Sequence, residues 1–272
     1  MEDNPEYGWD ALCASRDILV GGLKLNVKIA DAVKANSDYA ALLNERLSLN
    51  GIEVLIQNST EYPEKLISSL GEECPSFLFI KGNVELLNAP SLGFCGSRHT
   101  SQKGLKIASN CAEQIVSKDL IVISGYANGT DVAVHKSALV NGGATIFVLA
   151  EGLLNVKVKS DVNGLLFPDN HLFVSQFTPD MLWNAGSAMR RNSVIIGLSE
   201  AMILVESGLS GGTFAAGNET LKKGKALFVI DFEKPEVSAE ANPFFISCGC
   251  ISIRGKNDIP NLNKVFEIIH TI

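Results

Sequence analysis

Two short segments of the chain carry the side chains best suited to binding an anion. Gly96, Ser97 and Arg98 follow one apolar run, and Arg191 and Asn192 open another. A guanidinium can hold a phosphate through two parallel hydrogen bonds, and glycine lets backbone N–H groups approach the same anion. Phosphate is commonly held at the ends of helices and strands, so both segments predict an anion site.

A third segment combines a glycine-rich loop with titratable side chains. Gly125 and Gly129 follow a run of β-branched residues, which is a composition that suits a phosphate-binding loop. Asp131 and His135 are four residues apart, so they could pair across one helical turn as a catalytic acid and base. A helix cap with a local hydrogen bond explains the same two residues. Lys136 stands beside them in the sequence and could add positive charge to the site.

A fourth segment, residues 206–213, is rich in glycine and hydroxyl side chains, and it includes Ser207 and Gly208. This composition also suits a phosphate cradle between a strand and a helix. No Walker A motif and no ordinary dinucleotide-binding fingerprint is present, so the kind of phosphate ligand stays open.

The elements around these segments predict where they meet. Strands are predicted at residues 77–80, 92–95, 120–124, 145–149, 201–205 and 226–230, and helices at residues 101–118, 130–140, 184–198 and 213–223. Alternating strands and helices are typical of a doubly wound, mostly parallel α/β sheet. Ligands bind at the carboxyl ends of the strands in such sheets, so all four segments should share one edge.

The remaining sequence predicts the domain organisation. Residues 1–55 are predicted to form a small, mainly helical N-terminal region, which includes a helix over Ser37–Leu49 that ends before Gly51. Residues 56–272 are predicted to form one larger domain that carries the four segments.

Composition narrows the class of protein. Of 272 residues, 46% are hydrophobic and 19% are charged, which indicates a globular chain with a well-buried core. No apolar run reaches the roughly 18 residues of a membrane span, and the acidic first ten residues are unlike a signal peptide. We therefore expect no membrane association and cytoplasmic residence. The net charge of −7 argues mildly against a strong nucleic-acid binder, but residues 91–230 carry 12 Lys and Arg against 10 Asp and Glu.

The cysteines predict neither a metal site nor a cofactor. Cys248 and Cys250 lack the two-residue spacer of zinc knuckles and have no second pair nearby. Cys95 and Cys111 fall in predicted core elements, where a thiol behaves as a small hydrophobic group.

In combination, the segments resemble the DNA-processing protein A family (DprA, also called Smf), within the superfamily that includes the LOG nucleotide hydrolases. The matching stretches follow the family order and span about residues 60–250; they are residues 62–83, Gly96-Ser97-Arg98, residues 124–135, residues 143–149, residues 191–199 and Glu206-Ser207-Gly208.

The resemblance implies an extended Rossmann-like fold that dimerises. It also implies a non-enzymatic protein that binds single-stranded DNA without sequence preference and helps to load RecA recombinase during natural transformation. Arg98 would contact backbone phosphate, and Arg191 and Asn192 would line the pocket. The residues expected to shape the pocket or bind phosphate beside them are Gly96, Ser97, Gly125, Gly129, Ser207 and Gly208. Lys136 is added to this set because it is close to them in the sequence, not because of the resemblance.

Two alternatives remain open. The family usually continues Arg-Asn with a second arginine, where this chain has Ser193. That difference, the acidic net charge and the glycine turn at 207–212 favour a nucleotide-binding sensor domain. A LOG-like nucleotide hydrolase would use Glu206 or Glu219 as acid and base, although residues 210–213 keep only a fragment of the hydrolase motif.

Overall fold

The computed structural model describes residues 27–57 and 59–269. The chain divides into two units after Gly51. In the first unit, helices α1 (Val27–Ala35) and α2 (Ser37–Leu49) are described, and α2 has the predicted bounds. Residues 1–26, for which a mainly helical structure is predicted, lie outside the described residues.

The second unit is built on a nine-stranded sheet in the order β1-β2-β6-β5-β4-β3-β7-β8-β9. Seven neighbouring strands from β6 to β9 are parallel, whereas β1 pairs antiparallel with β2 and β2 with β6. The strands are β1 (Glu53–Ile56), β2 (Phe77–Gly82), β3 (Ser91–Cys95), β4 (Ile121–Ser124), β5 (Thr145–Val148), β6 (His171–Ser175), β7 (Ala201–Leu204), β8 (Leu227–Ile230) and β9 (Ile251–Ile253). The predicted α/β fold with a doubly wound, mostly parallel sheet is confirmed.

Helices cover both faces of the sheet, because successive strand residues point to opposite sides and both sides are apolar. One buried cluster contains residues of α4 (Gln102–Val116), α5 (Thr130–Val140) and α10 (Asn263–Ile269). The other contains residues of α3 (Glu64–Leu70), α7 (Ala185–Leu198) and α9 (Asn242–Ser247). The helix α8 (Gly212–Lys222) packs beside α7, and α6 (Ser160–Asn163) is a single turn. Among the described helices, none is long and apolar enough to cross a membrane.

The sheet reverses its winding between β3 and β7. From β3 the chain proceeds outward through β4, β5 and β6, and it then returns to place β7 on the opposite side of β3. Such a reversal opens a crevice outside the carboxyl ends of the strands, which is where ligands bind in folds of this kind.

Several short elements were not predicted. They are β1, β6, β9, the helices α3, α6, α9 and α10, and a hairpin formed by β10 (Gly255–Lys256) and β11 (Ile259–Pro260). The hairpin turns at Asn257 and Asp258, whose φ angles of 55° and 60° are those of a type I′ turn. The predicted domain boundary between residues 55 and 56 falls inside β1.

Candidate nucleic-acid interface

Two cavities, of about 940 and 820 Å³, open at the carboxyl edge of the sheet. Arg98, His99, Ala127 and Arg191 line both of them, so the two cavities form one continuous groove, here called the strand-end groove. The predicted site residues on its walls are Gly96, Ser97, Arg98, Arg191, Asn192 and Gly208. The structure therefore brings all four predicted segments to one edge, since Ala127 adds the segment that contains Gly125 and Gly129.

The loops after β3 and β4 pack too closely for side chains at two glycines. A Cβ atom at Gly96 would overlap Thr130, and one at Gly129 would overlap the Ser97 carbonyl. Gly129 also has a φ of +82°, which favours glycine. The hydroxyls of Thr100 and Thr130 share a 2.8 Å hydrogen bond between the same loops. These contacts fix the turn that carries Arg98.

Arg98 is the exposed cation at the centre of the groove. Its guanidinium carbon lies 5.2 Å from the centre of the Trp183 ring. Within residues 27–57 and 59–269, no carboxylate oxygen lies within 4.0 Å of this side chain. Its positive charge is consequently available to an anion.

Arg191 contributes to the groove from a buried position, with 7% of its surface exposed. Its Nη1 donates to the Val148 carbonyl over 2.7 Å, and its Nη2 lies 4.0 Å from an Asp131 carboxylate oxygen. The buried Nε–H has no hydrogen-bond partner in the part of the chain that the structure describes. Burial lowers the pKa of Arg191, while the charge of Asp131 opposes that shift. Arg191 thus braces the end of β5 and keeps an unused donor.

Of the two alternatives for Asp131 and His135, the structure does not support the acid–base pair, because each side chain has other partners. Asp131 accepts hydrogen bonds from Ser124 Oγ at 2.9 Å and from the Ala127 N–H at 3.1 Å. The Nε2–H of His135 donates to the Gly125 carbonyl over 2.5 Å. Burial raises the pKa of Asp131 and lowers that of His135 to about 3. His135 is fully buried and acts as a core residue.

The two glutamates considered as hydrolase acids do not line the groove. Glu206 is 1% exposed and accepts hydrogen bonds from the Ser101 N–H at 2.9 Å and the Ser101 hydroxyl at 2.5 Å. It therefore caps the start of α4. Glu219 lies on α8 outside both cavity walls, and burial raises its pKa.

Four of the predicted phosphate-binding residues line neither cavity: Gly125, Gly129, Lys136 and Ser207. Ser207 is fully buried, and its N–H donates to the side-chain oxygen of Asn242 over 3.0 Å. The amide nitrogen of Asn242 in turn donates to the Val205 and Ile230 carbonyls, each over 2.8 Å, and so ties the ends of β7 and β8 together. Lys136 is exposed and lines neither cavity.

The groove holds cationic and aromatic residues that sequence reasoning missed. Lys159 donates to the Tyr126 carbonyl over 2.8 Å and lies 4.7 Å from the centre of the Tyr126 ring. Burial lowers its pKa. Lys157 and Trp183 are exposed on the same wall. Lys157, Lys159 and Trp183 lie in a stretch without helical or strand periodicity. Their cationic and aromatic residue types were therefore the only signal in the sequence that could have identified them.

The groove is also partly acidic. Glu151 lines the smaller cavity and Glu236 the larger one. Burial raises the pKa of Glu151.

No group of three or more His, Cys, Asp or Glu side chains suited to a metal ion occurs in the part of the chain that the structure describes.

A doubly wound, mostly parallel sheet with a groove at its winding reversal defines a Rossmann-like α/β protein. The chain belongs to the DNA recombination-mediator protein A family, whose model matches residues 53–261. The predicted membership of the DprA/Smf family is thereby confirmed.

Relatives and solved structures agree with this assignment. The DNA processing protein DprA of Streptococcus pneumoniae is 31% identical over 160 residues, which is 58% of this chain and 56% of that protein. The Smf protein of Escherichia coli is 28% identical over 204 residues, or 74% and 54% of the two chains. The chain thus spans a little over half the length of these curated relatives.

The fold matches two solved members. The crystal structure of the Streptococcus pneumoniae DprA superimposes with a TM-score of 0.71 at 23% identity, covering 92% of this chain and 94% of that one. DNA processing protein A of Helicobacter pylori gives a TM-score of 0.65 at 20% identity and covers 81% and 94%. The structure of the Helicobacter pylori protein was reported together with its mode of binding single-stranded DNA.

Proposed function

We propose that this protein binds single-stranded DNA in the strand-end groove without sequence preference and that it has no enzymatic activity. The observation that carries the proposal is Arg98, an exposed guanidinium that has no carboxylate partner among the described residues and lies where the two cavities join. A backbone phosphate is the anion expected there, because such groups are held bidentately by guanidinium.

The shape and charge of the groove support a strand rather than a single phosphate. Lys157 and Lys159 continue the positive charge from Arg98 along the smaller cavity. Exposed aromatic and cationic side chains along a groove are the features by which single strands are bound without sequence preference. The solved relative from Helicobacter pylori, described with single-stranded DNA, supports the same ligand class.

The absence of catalysis is proposed from the positions of the candidate acids. Glu206 caps a helix, Glu219 lies outside the groove and His135 is buried in the core. Homodimerisation and the loading of RecA during natural transformation are proposed on family membership, and cytoplasmic residence stays a prediction.

A nucleotide-sensing role is the second candidate. It is favoured by the Nε–H of Arg191, which has no partner within residues 27–57 and 59–269 and lies beside a cavity large enough for a mononucleotide. Its ligand would raise the melting temperature of the protein, as any ligand that binds only the folded state does.

One competition experiment separates the two candidates. Labelled oligo-dT is titrated with the purified chain, and mononucleotides are then added as competitors. We expect saturable binding of the oligonucleotide that millimolar mononucleotide barely displaces. Mononucleotide binding with no oligonucleotide shift would replace the proposed function with the sensor role.

A further inference from the structure

Trp183 is an aromatic side chain that core packing does not explain. Its surface is 49% exposed, and it lies on the wall of the smaller cavity. It directly precedes Asn184, whose side chain accepts from the Ser187 N–H over 2.8 Å and caps α7. The cap fixes the backbone next to Trp183 and so keeps the indole at the groove.

The environment of Trp183 joins an aromatic surface to a phosphate-binding group. Arg98 lies over the indole with its guanidinium carbon 5.2 Å from the ring centre. Although Arg98 lies over the ring, about half of the tryptophan surface remains open. A nucleobase can stack on an open indole face regardless of its sequence, because every base presents a π face.

We infer that Trp183 stacks one nucleobase of the bound strand while Arg98 holds an adjoining backbone phosphate. This inference rests on the proposed function, because it assumes that the groove binds a DNA strand. It adds the contact by which the groove distinguishes nucleic acid from a simple polyanion. Lys157 lines the same cavity and adds a second exposed cation beside Trp183.

The test compares oligo-dT with an abasic deoxyribose-phosphate oligomer of the same length and charge. Trp183→Ala should weaken oligo-dT binding about tenfold and leave abasic binding unchanged, while Trp183→Phe should retain most of the affinity. Phe167→Ala is the matched control, since Phe167 is 60% exposed but lines neither cavity. Melting temperatures of all variants report folding.

Fluorescence gives a second readout. The chain has two tryptophans, so a Trp9→Phe background makes Trp183 the sole indole emitter. Oligo-dT should quench its emission, and the abasic oligomer should not. Unchanged oligo-dT affinity in Trp183→Ala, while the wild type binds well, would overturn the stacking role alone. Failure of the wild type to bind either oligomer would overturn the proposed function and this inference with it.

Discussion

Gly125 lies directly against the guanidinium of Arg191. A Cβ atom at residue 125 would overlap both Nη1 and Nη2, so only glycine leaves room for the buried arginine. The same Nη1 holds the Val148 carbonyl, and Nη2 faces Asp131. A glycine that the sequence indicates as a phosphate-loop residue therefore acts by accommodating a cation of the groove.

Gly125→Ala should destabilise the protein by about 1–3 kcal/mol, because the added methyl forces Arg191 away from its hydrogen bond. Urea unfolding measures the loss. Gly164→Ala is the control: its φ is −77° and nothing lies within 4 Å of a new Cβ atom. Equal stability of Gly125→Ala and the wild type would contradict the packing described for Arg191.

Arg98→Ala should weaken the binding of oligo-dT by about tenfold, the effect expected for one exposed phosphate contact. The melting temperature should stay unchanged, since Arg98 is exposed. Lys136→Ala removes a positive charge that lies outside the groove, so fluorescence anisotropy should show wild-type affinity. If Lys136→Ala lost more affinity for oligo-dT than Arg98→Ala, the DNA interface would lie on the surface of α5 and not in the groove.

Stability should fall in acid because of His135. Burial lowers its pKa in the folded protein from 6.5 to about 3. Between those two values the unfolded chain binds the extra proton, so the free energy of unfolding decreases as the pH falls, by up to about 1.4 kcal/mol per pH unit. The raised pKa of Asp131 acts in the opposite direction and offsets part of this loss.

His135→Gln removes this titration. Its unfolding free energy should be lower at pH 7, because buried contacts are lost, but it should depend less on pH between 3 and 6.5. His99→Gln, a change at an exposed histidine, should keep the wild-type pH dependence. Parallel pH profiles for His135→Gln and the wild type would refute the assignment.

Asn242→Ala should cost at least about 2 kcal/mol of unfolding free energy, because it leaves buried backbone groups of β7 and β8 without partners. Asn218→Ala is the matched control, since Asn218 is exposed and bonds only to Phe214 of its own helix. Chemical denaturation compares the two. Similar losses for both variants would mean that the Asn242 bridge is unimportant.

The fold was largely predictable because its central strands are short apolar runs that alternate with helices of 11 to 15 residues. The helix over Thr130–Val140 has the predicted bounds. The short strand β6 lies in a stretch that looked irregular, and its partners are distant in sequence, so local pattern could not reveal it. Residue types likewise identified the segments that form the groove, but they did not show which residues bind a ligand and which only pack against neighbours.

The roles within the site depend on burial, which sequence does not give. Arg98 and Arg191 are the same residue type in similar motifs, yet one is exposed and the other is buried beneath a glycine. Ser207 has the residue type of a phosphate ligand, but its N–H donates to Asn242, 35 positions further along the chain, and its hydroxyl donates to the Gly208 carbonyl. Trp183 had no motif to mark it.

The central claim is that a DNA strand lies along the groove and is held by its phosphates. The most direct test is the salt dependence of oligo-dT binding, measured by anisotropy from 50 to 200 mM NaCl. Three or four phosphate contacts by Arg98, Lys157, Lys159 and Arg191 predict a slope of log K against log salt of about −2 to −3. A slope near zero, or no binding at the lowest salt, would contradict the account.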